Sequence, residues 1–267
     1  MDWNKTKTIF IIVFSILNVF LISLYLNRYN ESQQIDKPSD TPIDEKLFLD
    51  NIKILETDNE IKEASYVSGT VHNFSLEEVE GLENQIVEIP FNDKLVSTFK
   101  EPIKLTDENT LEKIVSEQVI RGSVYGLWEI DEENKTAVLF QQVNKRLVYY
   151  NTKAKLVVHW NDKKELIGYE QTILDELENY NVSQKLLPHL QIVNILFDNL
   201  LLKPDSTINK IELGYSTLAQ LTETQVFAPT WHILVELVDG TMEEHFVNAV
   251  EGRIIDIPKE TDIQVVE

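Results

Sequence analysis

The chain has 267 residues, of which 45 are acidic and 24 are basic, so its formal net charge is −21. The first 30 residues hold Asp2 against Lys5, Lys7 and Arg28, which leaves a net charge of −23 on the remainder. Such a surface repels phosphate backbones and anionic headgroups, which excludes nucleic-acid binding and predicts a soluble part that stands off from the membrane surface. The absence of cysteine excludes disulfides, thiolate catalysis and cysteine metal sites.

Residues 9–26 form an uncharged, apolar run. As a helix this run spans roughly 27 Å, close to the hydrocarbon thickness of a bilayer. A buried core helix is one alternative, but the run is apolar on nearly every face. A cleaved signal peptide is the other, but residues 24–28 offer no small residues for cleavage. We therefore predict a cytoplasmic N-terminus over residues 1–8 and an uncleaved transmembrane helix over residues 9–27.

Charged and aromatic residues flank this helix and predict its orientation. Lys5 and Lys7 precede it with the terminal amine, and only Arg28 follows closely. The positive-inside rule then keeps the N-terminus in the cytoplasm and places the C-terminal domain outside the cell. Trp3 and Tyr25 fall where interfacial aromatic residues are found. We predict that these five residues anchor the helix at the two membrane interfaces.

Two polar residues inside the span, Ser15 and Asn18, share one helix face with Ile11 and Ile22. A side-chain amide in hydrocarbon requires a hydrogen-bond partner, and a neighbouring helix can supply one worth about 1–2 kcal/mol. The alternative is that Asn18 bonds its own backbone or reaches toward the interface. We predict a helix-packing face made of these four residues.

The segment after the membrane helix, residues 28–45, is polar and contains Pro38 and Pro42, which predicts a linker. Residues 46–105 combine polar and apolar residues. Four glutamates near Gly81 predict a solvated helix face rather than a cation site, because the spacing and loop glycine of a calcium loop are missing.

A helix is predicted over about residues 107–120, where Leu111, Ile114, Val115 and Val119 recur at helical spacing. Short strand-like stretches separated by turn residues follow this helix, and this spacing predicts an antiparallel meander. The predicted strands are residues 124–130, 136–142, 147–150, 155–160 and 165–174.

The same order then repeats, with a buried helix between Pro188 and Pro204 and a second set of strands. Asp239-Gly240 predicts a hairpin turn with positive φ at both central residues, and Glu251-Gly252 predicts a second turn. The predicted strands are residues 210–215, 230–238, 244–250 and 253–257. We expect an α+β fold, in which a transmembrane helix precedes an ectodomain of two similar helix-plus-antiparallel-sheet halves, residues 46–175 and 176–267.

The residues that carry chemistry do not form a recognisable catalytic motif. The five histidines lack the i, i+4 spacing of a helical metal site, and there is no nucleophile elbow, phosphate loop or dinucleotide fingerprint. His159 and His232 each adjoin a tryptophan in a predicted strand, which indicates packed or half-exposed side chains. We therefore predict no catalytic residue, no metal, no cofactor and no enzymatic activity.

The opening residues 1–12, MDWNKTKTIFII, resemble the start of the YycI (WalI) family, and the similarity continues through residues 17–21, LNVFL. Residues 231–255 are similar to the C-terminal part of that family. The resemblance implies a membrane-anchored regulator of Gram-positive bacteria that works with a sister protein, YycH. It also implies association, through transmembrane helices, with the sensor histidine kinase of the WalK–WalR (YycG–YycF) two-component system, which controls cell-wall metabolism. The alternative is a tethered extracellular module that binds a peptide, a cation or a wall component.

Overall fold

The computed structural model describes residues 3–34, 42–55, 61–106, 108–220 and 223–257. Helix α1, Trp3–Gln34, continues past residue 27 because neither proline nor glycine interrupts it. Helix α2, Ile43–Leu49, begins after Pro42, whose carbonyl accepts hydrogen bonds from the first helical turn. Both helices therefore extend into the segment expected to be a linker, and residues 35–41 of that segment lie outside the described part.

Two β-sheets make up most of the ectodomain. The terminal sheet contains strands from both ends of the ectodomain, in the order β1-β11-β12-β13-β14, while β2 pairs with β12 and with β10. All of its pairings are antiparallel except that of β1 with β11. Its strands are β1 (Lys53–Ile54), β2 (Glu63–Val71), β10 (Leu174–Lys185), β11 (Thr207–Gln220), β12 (Thr224–Glu236), β13 (Met242–Asn248) and β14 (Ile254–Ile255).

The central sheet is antiparallel throughout and has the order β3-β4-β9-β8-β6-β5, with β7 paired to β6. Its strands are β3 (Gln85–Phe91), β4 (Lys94–Lys104), β5 (Tyr125–Asp131), β6 (Thr136–Val143), β7 (Arg146–Leu147), β8 (Lys155–Trp160) and β9 (Glu165–Gln171). These strands form the first meander expected from the sequence, to which β3 and β4 are added at one edge.

Each sheet carries a helix on one face, which confirms the predicted α+β class. Helix α4, Glu108–Gln118, buries Leu111, Ile114 and Val115 against the central sheet. The short helix α3, Leu76–Val79, lies upstream of this sheet and bears two of the four glutamates near Gly81, Glu77 and Glu78.

Helix α5, His189–Asp198, covers the terminal sheet, and Ile192, Val193 and Leu196 are fully buried there. The helix ends where Leu200 adopts a positive φ of 59°, and the N–H of Leu201 then donates to the carbonyl of Leu196. Helix α2 packs beside α5 through Lys46, whose Nζ lies 2.8 Å from Asp198 and 3.1 Å from Asn194.

Further details differ from the sequence-based expectations. β1 and β2 lie within residues 46–175, yet they pair with the terminal sheet, where Val67 lies opposite Phe227. The strand expected over residues 147–150 is reduced to β7. In the two predicted hairpin turns, only Gly240 and Gly252 have positive φ. The first turn is closed by a hydrogen bond from the N–H of Gly240 to the carbonyl of Leu237, so Asp239 keeps a negative φ.

A third buried cluster joins the two sheets. Val67, Val148, Leu174, Tyr215 and Phe227 pack together there. The chain after β7 leaves the central sheet and touches β11, where the N–H of Tyr149 donates to the carbonyl of Tyr215 over 2.8 Å. The two sheets are therefore held together by apolar packing and by backbone hydrogen bonding.

Candidate functional site

The part of α1 between Lys7 and Tyr25 is long and apolar enough to cross a membrane, and none of it is buried against the rest of the chain. Ile11 and Ile22 of the predicted helix-packing face are 67% and 57% exposed. A helix so apolar and so exposed is not a core helix of a soluble protein. It supports a single-pass membrane anchor.

The polar residue of this face, Asn18, donates from Nδ2 to the carbonyl of Phe14 over 2.8 Å. One of the two outcomes considered from the sequence, a bond to the helix backbone, is therefore present. A carboxamide has two N–H donors and one carbonyl oxygen, so this bond uses only part of its hydrogen-bonding capacity.

Of the predicted interface anchors, Lys7 and Tyr25 lie at the two ends of the span. The side chains of Trp3, Lys5 and Arg28 lie outside the described part.

In the ectodomain, a cluster of polar and aromatic groups surrounds His232, where the two sheets meet. His232 lies on β12 with 4% of its side chain exposed. Its Nδ1 is 3.3 Å from Glu212 of β11, and its Nε2 is 3.6 Å from Glu244 of β13. The hydroxyl of Tyr150 donates to Glu244 over 3.1 Å and accepts from the indole N–H of Trp128 over 3.2 Å. We call these five residues the His232 cluster.

His232 and Glu212 in this cluster each stabilise the charged form of the other. Burial disfavours the charged form of His232, but the hydrogen bond with Glu212 and the negative charges of Glu244 and Glu212 outweigh burial, so the pKa of His232 lies above its ordinary value. Burial likewise opposes ionisation of Glu212, but His232 and Lys210 hold the pKa of this carboxyl below its usual range. Burial and Glu244 raise the pKa of Tyr150, so its hydroxyl remains a donor.

A second charged cluster joins the turn after α4 to the start of β10. His72 Nδ1 lies 2.6 Å from Asp175, which also pairs with Arg121 at 2.6 Å, and His72 Nε2 lies 3.2 Å from Glu78 of α3. Burial would raise the pKa of Asp175, but hydrogen bonds and charges from Arg121 and His72 keep it below its usual value. This cluster connects separate elements of the chain and is partly open to solvent.

An open cleft of about 800 Å³ lies near the turn between β3 and β4. Two ion pairs cross its surface, Lys94 with Glu170 at 2.6 Å and Lys153 with Asp93 at 2.5 Å. The positive charges in these pairs are thus already compensated. Among the described residues, no group of three or more histidine and carboxylate side chains is arranged to hold a metal ion.

The sequence predicted a packed or half-exposed histidine at position 232, and in the structure this histidine is packed. The cluster around it was not predicted. Glu212, Tyr150 and Trp128 come from three other segments whose pairing is not visible locally. One signal was available, because the hairpin at Asp239-Gly240 pairs β12 with β13 and brings Glu244 close to His232.

A family model described as YycI protein matches residues 30–250, which is most of the chain. The chain belongs to the YycI family. This is a regulatory, non-catalytic family, and membership suggests a regulator of the WalK system. The match lies almost entirely in the ectodomain, beyond the transmembrane part of α1.

The chain is similar to several solved structures. The crystal structure of an uncharacterized protein from Eubacterium rectale is 14% identical, with coverage of 78% of this chain and 92% of that one and a TM-score of 0.50. The C-terminal domain of YpeB from Bacillus megaterium is 10% identical, with coverage of 83% and 98% and a TM-score of 0.39. The first likeness concerns the fold alone. A comparison with curated protein sequences gave no match.

Proposed function

We propose that this YycI-family chain is a non-enzymatic regulator, anchored by α1 with its N-terminus in the cytoplasm and its ectodomain outside the cell. It associates with a WalK-like sensor histidine kinase and with a YycH-like sister protein, and it thereby modulates two-component signalling that controls cell-wall metabolism. The family match is the observation that supports this proposal. The unburied apolar helix supplies a surface on which kinase helices can pack.

The face with Ser15 and Asn18 is the part of α1 that we propose contacts the kinase. The bond from Asn18 to Phe14 leaves one amide N–H and the carbonyl oxygen for an interhelical hydrogen bond. Such a bond contributes about 1–2 kcal/mol, roughly a 5- to 30-fold change in an association constant. A helix that packs better on one state of a two-state kinase shifts its equilibrium by that difference in affinity.

The test is a Ser15→Leu, Asn18→Leu double variant of the full-length chain. Leucine keeps the span apolar, so insertion is retained while the polar contact is lost. We expect weaker co-purification with the kinase from detergent extracts and altered expression of the genes that the two-component system controls.

The matched control is a Val13→Leu, Phe20→Leu double variant, which changes the helix face about half a turn away. We expect it to behave as the unaltered chain in both measurements. Unchanged co-purification and gene expression in the Ser15, Asn18 variant would show that this face does not mediate the association.

A further inference from the structure

We propose that the His232 cluster is a pH-responsive connection between the two sheets, in which protonated His232 holds the junction closed and neutral His232 loosens it. The proposal concerns the ectodomain itself and goes beyond the regulatory function proposed above, because it requires no partner.

The position of His232 makes it one of the contact points between the sheets. Its ring lies on β12 of the terminal sheet, stacked on Phe246 of β13 at a centroid distance of 5.0 Å. From the other side it meets Trp128 of the central sheet at 4.9 Å and Tyr149 at 5.5 Å. A change in the state of this ring therefore acts on residues of both sheets at once.

The geometry favours the doubly protonated ring. Each ring nitrogen faces a carboxylate, Nδ1 toward Glu212 and Nε2 toward Glu244. The imidazolium form has an N–H on both nitrogens, whereas either neutral tautomer has a lone pair on one of them. Loss of the proton thus necessarily directs a lone pair toward one carboxylate, in a site that is almost closed to water.

Charged groups of the described residues on the neighbouring strands also surround the cluster. Lys210 pairs at 2.6 Å with the carboxylate oxygen of Glu212 that does not face His232. On β13, Nε2 of His245 lies 4.0 Å from Glu243, and burial holds the pKa of His245 below its ordinary value. Glu243 itself pairs with Lys203. From β5, Glu129 adds a further negative charge near Tyr150.

Glu244 is the carboxylate through which the change reaches the central sheet. Tyr150 bridges it to Trp128, so a displaced Glu244 removes the acceptor of that bridge.

The direction in which pH changes the stability of the junction follows from the surroundings of His232. A histidine whose pKa is higher in the folded than in the unfolded chain contributes stability that is complete below its ordinary pKa. This stability is lost as the pH rises through the higher folded value.

The experiment is hydrogen exchange of the full-length chain in detergent micelles at pH 6 and pH 8.5, with rates divided by the intrinsic exchange rates. We expect the protection of amides in β5 and β12 to decrease at the higher pH. The His232→Gln variant, which cannot titrate, should lose this dependence. The control variant His159→Gln alters a half-exposed histidine beside Glu170 and should retain it.

A pH dependence that persists in His232→Gln, or is missing from the unaltered chain, would overturn the proposal. Should His232→Gln fail to fold, NMR titration of the unaltered chain decides the question. We expect the ring nitrogens of His232 and the indole N–H of Trp128 to titrate together. A Trp128 signal that does not move while His232 loses its proton would also overturn the proposal.

Discussion

Gly214 shows how tightly single residues are fitted where the sheets meet. It lies on β11, and a Cβ atom built there would come within 2.3 Å of the ring of Tyr149, which is 2% exposed. The ring is held by packing against Trp128 and Phe246, and the strand is held by the hydrogen bond between the backbone of Tyr149 and that of Tyr215. The lack of a side chain at Gly214 is therefore a packing requirement rather than a matter of backbone freedom.

We expect Gly214→Ala to lower the free energy of unfolding by about 1–3 kcal/mol, the usual cost of adding atoms to a filled core. Urea denaturation followed by circular dichroism in detergent micelles measures this. Gly81→Ala is the matched control, since a Cβ atom at Gly81 would meet nothing within 4 Å. It should be neutral or slightly stabilising. Equal effects of the two substitutions would contradict the packing argument.

For single residues, the burial of a side chain was easier to predict from the sequence than the residues it contacts. The tryptophan beside His232 indicated a packed or half-exposed ring, and the ring is packed. Nothing in the sequence around Tyr150 indicated its role. Tyr150 has a positive φ of 49°, which turns the chain between the sheets and directs its hydroxyl to Glu244. Such a conformation depends on tertiary packing, and no local pattern of residues indicates it.

Among the elements, helices α4 and α5 were predictable because apolar residues recur at helical spacing on both. β2 was not, because Glu63–Val71 mixes small and polar residues and finds its partners far along the chain. β11 and β12 are longer than expected, since their pairing continues from Thr207 with Glu236 to Gln220 with Gln225. Strand ends that depend on a partner strand are not visible in either strand alone.

Substitutions in helix α5 measure how much the covering of the terminal sheet contributes to the free energy of unfolding. Leu196 is fully buried on the sheet side, whereas Leu190 on the same helix is 46% exposed. We expect Leu196→Ala to cost about 2–5 kcal/mol of unfolding free energy, because it leaves a cavity. Leu190→Ala should cost clearly less. Both substitutions replace leucine with alanine in one helix, so equal losses in denaturation experiments would contradict the assigned packing.

For the whole molecule, the absence of cysteine makes the proposed topology directly measurable. A single Glu133→Cys substitution places a thiol in the exposed turn after β5, and Asn4→Cys places one before the membrane span. We expect a membrane-impermeant maleimide to label the first variant on intact cells and the second only after permeabilisation. The reverse pattern would mean that the N-terminus lies outside.

The arrangement of the terminal sheet also determines when the protein can finish folding. All strands of the central sheet lie between residues 85 and 171, so they can pair as soon as that stretch has been synthesised. Val67 of β2 must wait for Phe227 of β12, a closure that spans more than half of the chain and is slow for that reason. A nascent chain that stops short of β12 would carry a complete central sheet beside an open strand, the species most exposed to aggregation and proteolysis.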